Sequence, residues 1–212
     1  MVRLFLAILW SAVVPMDRWV IITSGEEVNR QEISRWVEVL RTSERVVDDY
    51  FEDHSMGVGW ENGVLRVLRG GVLRVAPSSG DFAAWTGCSI WHGAAVRNGE
   101  LIVQPLAVLE RRGVLEEVVV HEYVHLVLEP YEVPLWLNEG LAVICSGQAR
   151  RLAEDVSLKD LPKEKERIET LLKSKDTLDL KLGYLAAARL TQEKIDGMGL
   201  DSLVRLIKEE AL

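Results

Sequence analysis

The sequence predicts an α+β fold, in which a small mixed sheet of short strands precedes a mainly helical half. Two patterns and the composition predict it. Glycines divide residues 57–104 into short runs of β-branched residues, which is typical of short strands. From Pro105 onward, apolar residues recur at helical spacing. The 212 residues are 48% hydrophobic and 27% charged, which is enough apolar material for one globular core.

The elements of the first half follow in order. Residues 19–23 are β-branched and aromatic and end at Ser24-Gly25, so we predict a strand there. Residues 26–51 carry apolar side chains three and four positions apart with charges between them, which predicts a long amphipathic helix. The glycine-bounded region then predicts strands at 64–68, 72–75 and 101–103 and a short helix at 81–85.

The second half predicts helices. Residues 115–128 form one apolar helix that Pro130 prevents from extending far, because a proline ring clashes with the preceding turn. Pro134 marks the start of a second helix, since proline is favoured in a first helical turn. A charge-rich, solvated helix is expected within 157–175, and two closing helices within 180–194 and 200–211.

The net charge is −8, with an isoelectric point near 5.1. A dedicated nucleic-acid surface would need a basic face to displace counterions from phosphates, so the sequence argues against a nucleic-acid partner. Cys88 and Cys145 are expected to be small buried side chains. Neither belongs to a Cys-x-x-Cys pair, which argues against a thiolate zinc site.

The N-terminus carries Arg3 followed by an apolar run at 4–14. This pattern resembles a secretory signal peptide or a membrane anchor over residues 1–16, although no clean small-residue cleavage site follows. It predicts a secreted or membrane-anchored protein, with a single domain in 17–212 and membrane contact only through this segment. In the alternative interpretation, 4–14 is a buried strand or helix that begins a cytoplasmic domain. The run is too short to span a bilayer as a helix, which takes about 20 residues.

The strongest chemical signal is His121-Glu122-Tyr123-Val124-His125, an H-E-x-x-H sequence. Four residues apart on a helix, the two histidines lie about 40° apart around the axis and about 6 Å along it, so both can reach one ion. Glu122 flanks that face and can contact a water without ligating the ion. The surrounding helix is almost wholly apolar, and burying these polar groups is costly unless they are satisfied. The competing interpretation is a structural helix with hydrogen-bonded core histidines.

A catalytic zinc ion commonly takes three protein ligands and keeps an open position. No third histidine follows His125, so a carboxylate is expected. Glu139, inside the apolar segment 134–142, is better placed than Glu129 or Glu132 near the first helix end.

The pair HEYVH and WLNEGLA resembles the gluzincin peptidases, especially those with a peptidase-MA-like domain. The second motif is similar to a segment of the larger zinc aminopeptidases. The resemblance is firm over 113–145. It implies one Zn²⁺ per chain held by His121, His125 and Glu139, with Glu122 as the catalytic base, in a single catalytic domain over 17–212. It also implies a tyrosine or histidine that stabilises the oxyanion, for which Tyr184 is the first candidate and His92 the second. The alternative for Tyr184 is a tyrosine packed in the core.

The sequence departs from the aminopeptidases in one informative place. Their glycine-alanine-rich edge strand carries a glutamate that grips the substrate amine, whereas Trp91-His92-Gly93-Ala94-Ala95-Val96 has no carboxylate. We therefore expect an endopeptidase that acts on a peptide or protein substrate, with the edge strand pairing to extended peptide. Two alternatives remain open: a cell-envelope amidase, and a non-catalytic zinc-binding module.

Overall fold

The fold is α+β, as predicted. A computed structural model of the protein describes residues 11–16, 18–24, 29–54, 71–157, 159, 161–203 and 205. Within them, a five-stranded mixed sheet precedes a mostly helical part. The strand predicted at 64–68 and most of the last predicted helix lie outside the described residues, which do include a helical turn at 200–203.

The sheet has the strand order β1-β2-β3-β5-β4. The three central strands are parallel, and each outer strand pairs antiparallel with its neighbour. This combination is what makes the sheet mixed. The strands are β1 (Ser11–Met16), β2 (Trp19–Ser24), β3 (Gly71–Val75), β4 (Ala94–Arg97) and β5 (Glu100–Val103).

Most predicted helices are present, and the bounds at 115–128 are those predicted. The described helices are α1 (Arg30–His54), α2 (Ser79–Thr86), α3 (Leu106–Arg111), α4 (Leu115–Leu128), α5 (Leu135–Ser146), α6 (Ala149–Leu152), α7 (Lys165–Leu172) and α8 (Thr177–Met198). Short 3₁₀ segments occupy Glu129–Tyr131 and Ala153–Asp155. Pro134 is the N-cap of α5, so the predicted start of that helix is confirmed.

The chain forms two compact units. The first, the sheet unit, comprises Met1–Glu44 and Leu68–Leu126; the second, the helical unit, comprises Arg45–Val67 and Val127–Leu212.

In the sheet unit, the central strands bury one face of the sheet. Ile21, Leu73 and Leu101 occupy this face on the three parallel strands and are inaccessible to solvent. On the opposite face, Arg74 of β3 donates two hydrogen bonds, of 2.7 and 2.9 Å, to the Glu100 carboxylate of β5. These hydrogen bonds raise the pKa of the Arg74 guanidinium, against the opposing effect of burial. A charged pair therefore ties two central strands together on the more exposed face.

In the helical unit, small residues let helices approach closely. A Cβ added at Gly140 of α5 would lie 2.1 Å from Thr191 Oγ1 and 2.7 Å from the Ala187 carbonyl oxygen, both on α8. At Gly183 of α8, an added Cβ would lie 3.0 Å from the Leu172 backbone nitrogen of α7. Such contacts leave no room for a methyl group, so these two glycines set the spacing of α8 against its neighbours.

The start of the described chain belongs to the sheet. Ser11–Met16 pairs antiparallel with β2 along its whole length, from Ser11 opposite Ser24 to Met16 opposite Trp19. Part of the apolar run at 4–14 thus lies in β1, and its residues before Ser11 lie outside the described residues. No helix among the described residues is long and apolar enough to cross a membrane.

Candidate metal centre

Helix α4 brings together three side chains with metal-ligating atoms. The ligand atoms of His121, Glu122 and His125 all lie within 4.8 Å of one another. The two imidazole rings meet edge to face, with centroids 4.7 Å apart. His121 is buried, whereas Glu122 and His125 are half-buried. The helix is apolar around them, with Val119 and Val124 fully buried, so the three polar side chains are set in hydrophobic surroundings.

The Glu122 carboxylate is held by the backbone of β4. Its Oε2 accepts a hydrogen bond of 3.1 Å from the main-chain N–H of Val96. In an antiparallel pair, hydrogen-bonded and non-hydrogen-bonded positions alternate. Since the Val96 N–H faces Glu122 and not β5, the main-chain groups of Ala94 and Val96 both point to the outer edge of β4. Among the described strands, β4 has no partner on that side.

Gly93 sets the distance between β4 and the helix that carries His121, Glu122 and His125. A Cβ added at this position would lie 2.7 and 2.8 Å from the two methyl groups of Val118, one turn before His121. Valine cannot move aside easily, because its branched side chain has one preferred rotamer in a helix. Glycine at position 93 therefore permits the approach that places the Val96 N–H beside Glu122.

No protein-family model matches the sequence, and no curated protein matches it. The interpretation of the site therefore depends on its geometry. Two imidazoles and a carboxylate form a nitrogen and oxygen donor set of the kind that transition metals accept in proteins. The His121, Glu122 and His125 group could hold a metal ion.

The predicted third ligand, Glu139, lies in the helical unit on α5. Its side chain is half-buried, within a helix whose neighbouring residues Leu137, Gly140 and Leu141 are buried. The next residue is Gly140, at the close contact with α8. The backbone that carries Glu139 is thus fixed by helix packing. The group of three that α4 brings together does not include Glu139, and its role as a ligand stays a prediction.

The predicted oxyanion donor, Tyr184, lies on α8 and is half-buried. The helix begins at Thr177, before the predicted range of 180–194. Helix α8 starts earlier because the Asp176 side chain accepts hydrogen bonds from the backbone N–H groups of Leu178 and Asp179, at 2.8 and 3.1 Å, and so caps it. By helical periodicity, Tyr184 and Thr191 differ by about 20° around the axis. Tyr184 therefore lies on the face of α8 that contacts α5.

The second candidate, His92, lies in a turn and not on the strand. The strand begins at Ala94. The Nδ1 atom of His92 lies 3.3 Å from the carbonyl oxygen of Ser89, and a carbonyl can only accept a hydrogen bond. Nδ1 is therefore the donor in this contact, and the role of His92 as an oxyanion donor stays a prediction.

The sequence did not predict the contribution of a main-chain group to the site. Side-chain patterns cannot identify the Val96 N–H as the partner of Glu122. One signal for β4 was nevertheless present, since Asn98-Gly99 is a strong indicator of a two-residue hairpin turn. Both residues have positive φ, 54° and 73°, and they join β4 to β5.

The two cysteines are free thiols outside the metal-ligating group. Both are half-buried, and burial raises the pKa of the Cys145 thiol. The ligating atoms that α4 brings together are thus nitrogen and oxygen, without sulfur.

Proposed function

We propose that this protein is a zinc-dependent hydrolase of peptide bonds, acting as an endopeptidase. One observation carries the proposal: the side chains of His121, Glu122 and His125 meet on α4 beside a main-chain N–H of the edge strand β4. Metal ligands, a carboxylate base and an edge for extended peptide thus occur together in the sheet unit.

In this proposal His121 and His125 hold the ion together with Glu139. When bound, zinc supplies a Lewis acid that lowers the pKa of a coordinated water to about 7 and polarises the carbonyl that is attacked. The donor set fits, since catalytic zinc sites combine two histidines with a glutamate and leave one position open. The resemblance to the gluzincins supports the choice of zinc over other metals.

Glu122 acts as the base. It takes the proton of the attacking water and later delivers that proton to the leaving amine, which is the usual double role of a general acid–base group. The Val96 N–H orients the carboxylate by donating to Oε2. This leaves the other carboxylate oxygen to face the water.

Substrate would bind along β4. The outward N–H and carbonyl of Ala94 and the outward carbonyl of Val96 can pair with an extended peptide as an added strand, while the Val96 N–H stays on Glu122. The segment from Trp91 to Val96 carries no carboxylate, and the next residue, Arg97, is exposed and cationic. The positively charged amino terminus of a substrate would therefore find no carboxylate in this segment. This supports cleavage within the peptide over removal of its terminal residues.

Tyr184 would donate its hydroxyl proton in a hydrogen bond to the oxyanion. Its position on the α5-contacting face of α8 supports this role, because α5 also carries Glu139. A donor aimed at charge that develops only in the transition state contributes to turnover and not to ground-state binding.

The deciding experiment is hydrolysis of an unbiased peptide library by zinc-loaded protein, with a Glu122→Gln variant as control. We expect internal cleavage that a chelator abolishes, that zinc restores and that the variant lacks. Cleavage confined to cell-envelope peptides would identify the amidase instead. Metal binding without hydrolysis of any amide substrate would identify a zinc-binding module.

For location, we retain the expectation of a secreted or membrane-anchored protein. Cleavage after a residue between 12 and 18 would remove part or all of β1, and the pairing of β1 with β2 counts against a cleaved signal peptide. Intact-mass measurement of protein from cells, after separation of membrane and soluble fractions, distinguishes the cases. A mature chain starting after residues 12–18 indicates a signal peptide, and an intact chain in membranes indicates an anchor. An intact chain in the soluble cytoplasmic fraction contradicts the expectation.

A further inference from the structure

A β-turn with two large apolar side chains at its corner precedes β4. The main-chain N–H of His92 donates to the Ser89 carbonyl oxygen at 3.0 Å and closes the turn. Ile90 and Trp91 are its two central residues, and they are 61% and 40% exposed. Turn corners ordinarily carry glycine, proline, asparagine, aspartate or serine. The exposed parts of these side chains contribute little to folding, because the hydrophobic effect stabilises only the surface that is removed from water.

The turn is held in place by side chains from other elements. The buried Gln104 donates through Nε2 to the carbonyl oxygens of Ile90, at 2.7 Å, and of His92. Gln104 Oε1 in turn accepts a hydrogen bond of 2.6 Å from Ser79 Oγ. Arg112 Nη2 donates to the Trp91 carbonyl oxygen. Three successive carbonyls are therefore fixed by two side chains that lie outside the turn.

The Trp91 ring is also ordered. It stacks on the His92 ring, with centroids 3.8 Å apart and planes 27° apart. A rigid, partly exposed aromatic side chain loses little conformational entropy when a partner covers it, which is why such residues dominate binding energies. The turn thus presents a preorganised apolar surface.

This surface continues into the edge that faces the catalytic base. Only His92 and Gly93 separate Trp91 from Ala94, whose main-chain groups share the outer edge of β4 with those of Val96. A strand advances about 3.3 Å per residue. A peptide paired along β4 beside Glu122 would therefore reach the turn three to five residues from the bond to be cleaved.

We infer that the Ile90–Trp91 turn is a specificity subsite, which selects peptides with an aromatic or large aliphatic side chain three to five residues from the cleaved bond. This inference deepens the proposed function and rests on it. The occupant is the substrate itself, because the apolar surface is continuous with the strand edge on which the substrate would lie.

The test uses matched peptides that differ only by tryptophan or serine at one position, which is moved stepwise along the sequence. We expect zinc-loaded protein to prefer tryptophan at one position within this window. Trp91→Ala should lower kcat/KM about 10-fold for that peptide, which corresponds to the loss of an interface anchor worth about 1.4 kcal/mol. The serine peptide should be cleaved at an unchanged rate. Ile90→Ser should reduce the same preference, and Leu178→Ala, which truncates a 52% exposed leucine on α8, should not.

Binding separates this inference from the proposed function. The affinity of the same peptides for the zinc-loaded Glu122→Gln protein is measured by fluorescence anisotropy. If the wild type cleaves nothing but binding still prefers tryptophan in a Trp91-dependent way, the subsite stands and the hydrolase proposal fails. A preference that survives Trp91→Ala overturns the subsite. The subsite is also overturned if the peptides show no preference for tryptophan and Trp91 is instead required for binding to lipid vesicles or for self-association of the protein.

Discussion

The two compact units fix their candidate functional residues in different ways. In the sheet unit, His121, Glu122 and His125 lie within one helical turn of α4, and their separation is a property of the helix itself. In the helical unit, Glu139 and Tyr184 lie on separate helices. The spacing of these helices depends on the contact of Gly140 with Ala187 and Thr191. The first arrangement is set within one helix, whereas the second depends on how two helices pack against each other.

This difference indicates which changes each unit tolerates. The α4 group should keep its geometry as long as the helix forms, so isosteric substitutions there should affect chemistry and leave structure intact. The helical unit should respond to the addition of a single methyl group, because close-packed helices cannot absorb extra volume without moving. Four predictions, from the largest expected effect to the smallest, test this contrast.

The largest effect is expected for Glu122→Gln. The substitution keeps the shape and removes the base, so turnover should fall by about 10²- to 10⁴-fold while zinc content and thermal stability stay unchanged. Peptide hydrolysis, elemental analysis and thermal unfolding measure these three quantities. Glu117→Gln, on the same helix but outside the metal-ligating group, is the matched control and should retain activity. An equal loss of turnover in both variants would contradict the role of Glu122.

Next, Glu139→Ala should weaken zinc binding by more than about 100-fold. Loss of a direct ligand should exceed the 10- to 100-fold cost typical of its outer hydrogen-bond partners. Competition with a chelator of known affinity measures the change. Glu129→Ala and Glu132→Ala, which remove exposed carboxylates, should bind zinc normally. If all three variants lose zinc affinity to the same extent, the prediction that Glu139 is the third ligand is contradicted.

A smaller effect is expected for Tyr184→Phe, which deletes one hydroxyl. Turnover should fall by about 100-fold, as for other oxyanion donors, with zinc content and KM nearly unchanged. Steady-state kinetics separate kcat from KM. Tyr131→Phe, outside α8, serves as the control. If the Tyr184→Phe variant keeps full turnover, Tyr184 is not the oxyanion donor and its role is packing.

The smallest effect, on stability, compares two helical glycines of the same unit. Gly140→Ala should destabilise the protein by about 1–3 kcal/mol, because the new Cβ overlaps Thr191 and the Ala187 carbonyl. At Gly197 of α8, an added Cβ meets nothing within 4 Å. Gly197→Ala should therefore stabilise the protein by up to about 1 kcal/mol, since alanine favours the helix. Urea denaturation measures the change in the free energy of unfolding for both variants. If both changes had the same sign, the packing argument would be contradicted.

Several features were predictable from the sequence because they depend on neighbours along the chain. The apolar run and the following proline fixed the bounds of α4, and the spacing of His121 and His125 placed both on one face. The three-four periodicity of residues 30–51 likewise predicted most of α1, and the β-branched runs predicted β2, β3 and β5. In each case the deciding interactions lie within a few residues of one another.

Other features only the tertiary structure decided. Strand β4 was expected only from the resemblance, over residues 91–96, and its bounds and register depend on pairing with β5. The Val96 N–H reaches Glu122 across 26 residues of sequence, and Gln104 binds carbonyls 12 and 14 residues away. The importance of Gly93 and Gly140 lies in what a Cβ would strike on another element. A sequence records side-chain types and local spacing, whereas main-chain contacts and close approaches between distant segments exist only once the chain has folded.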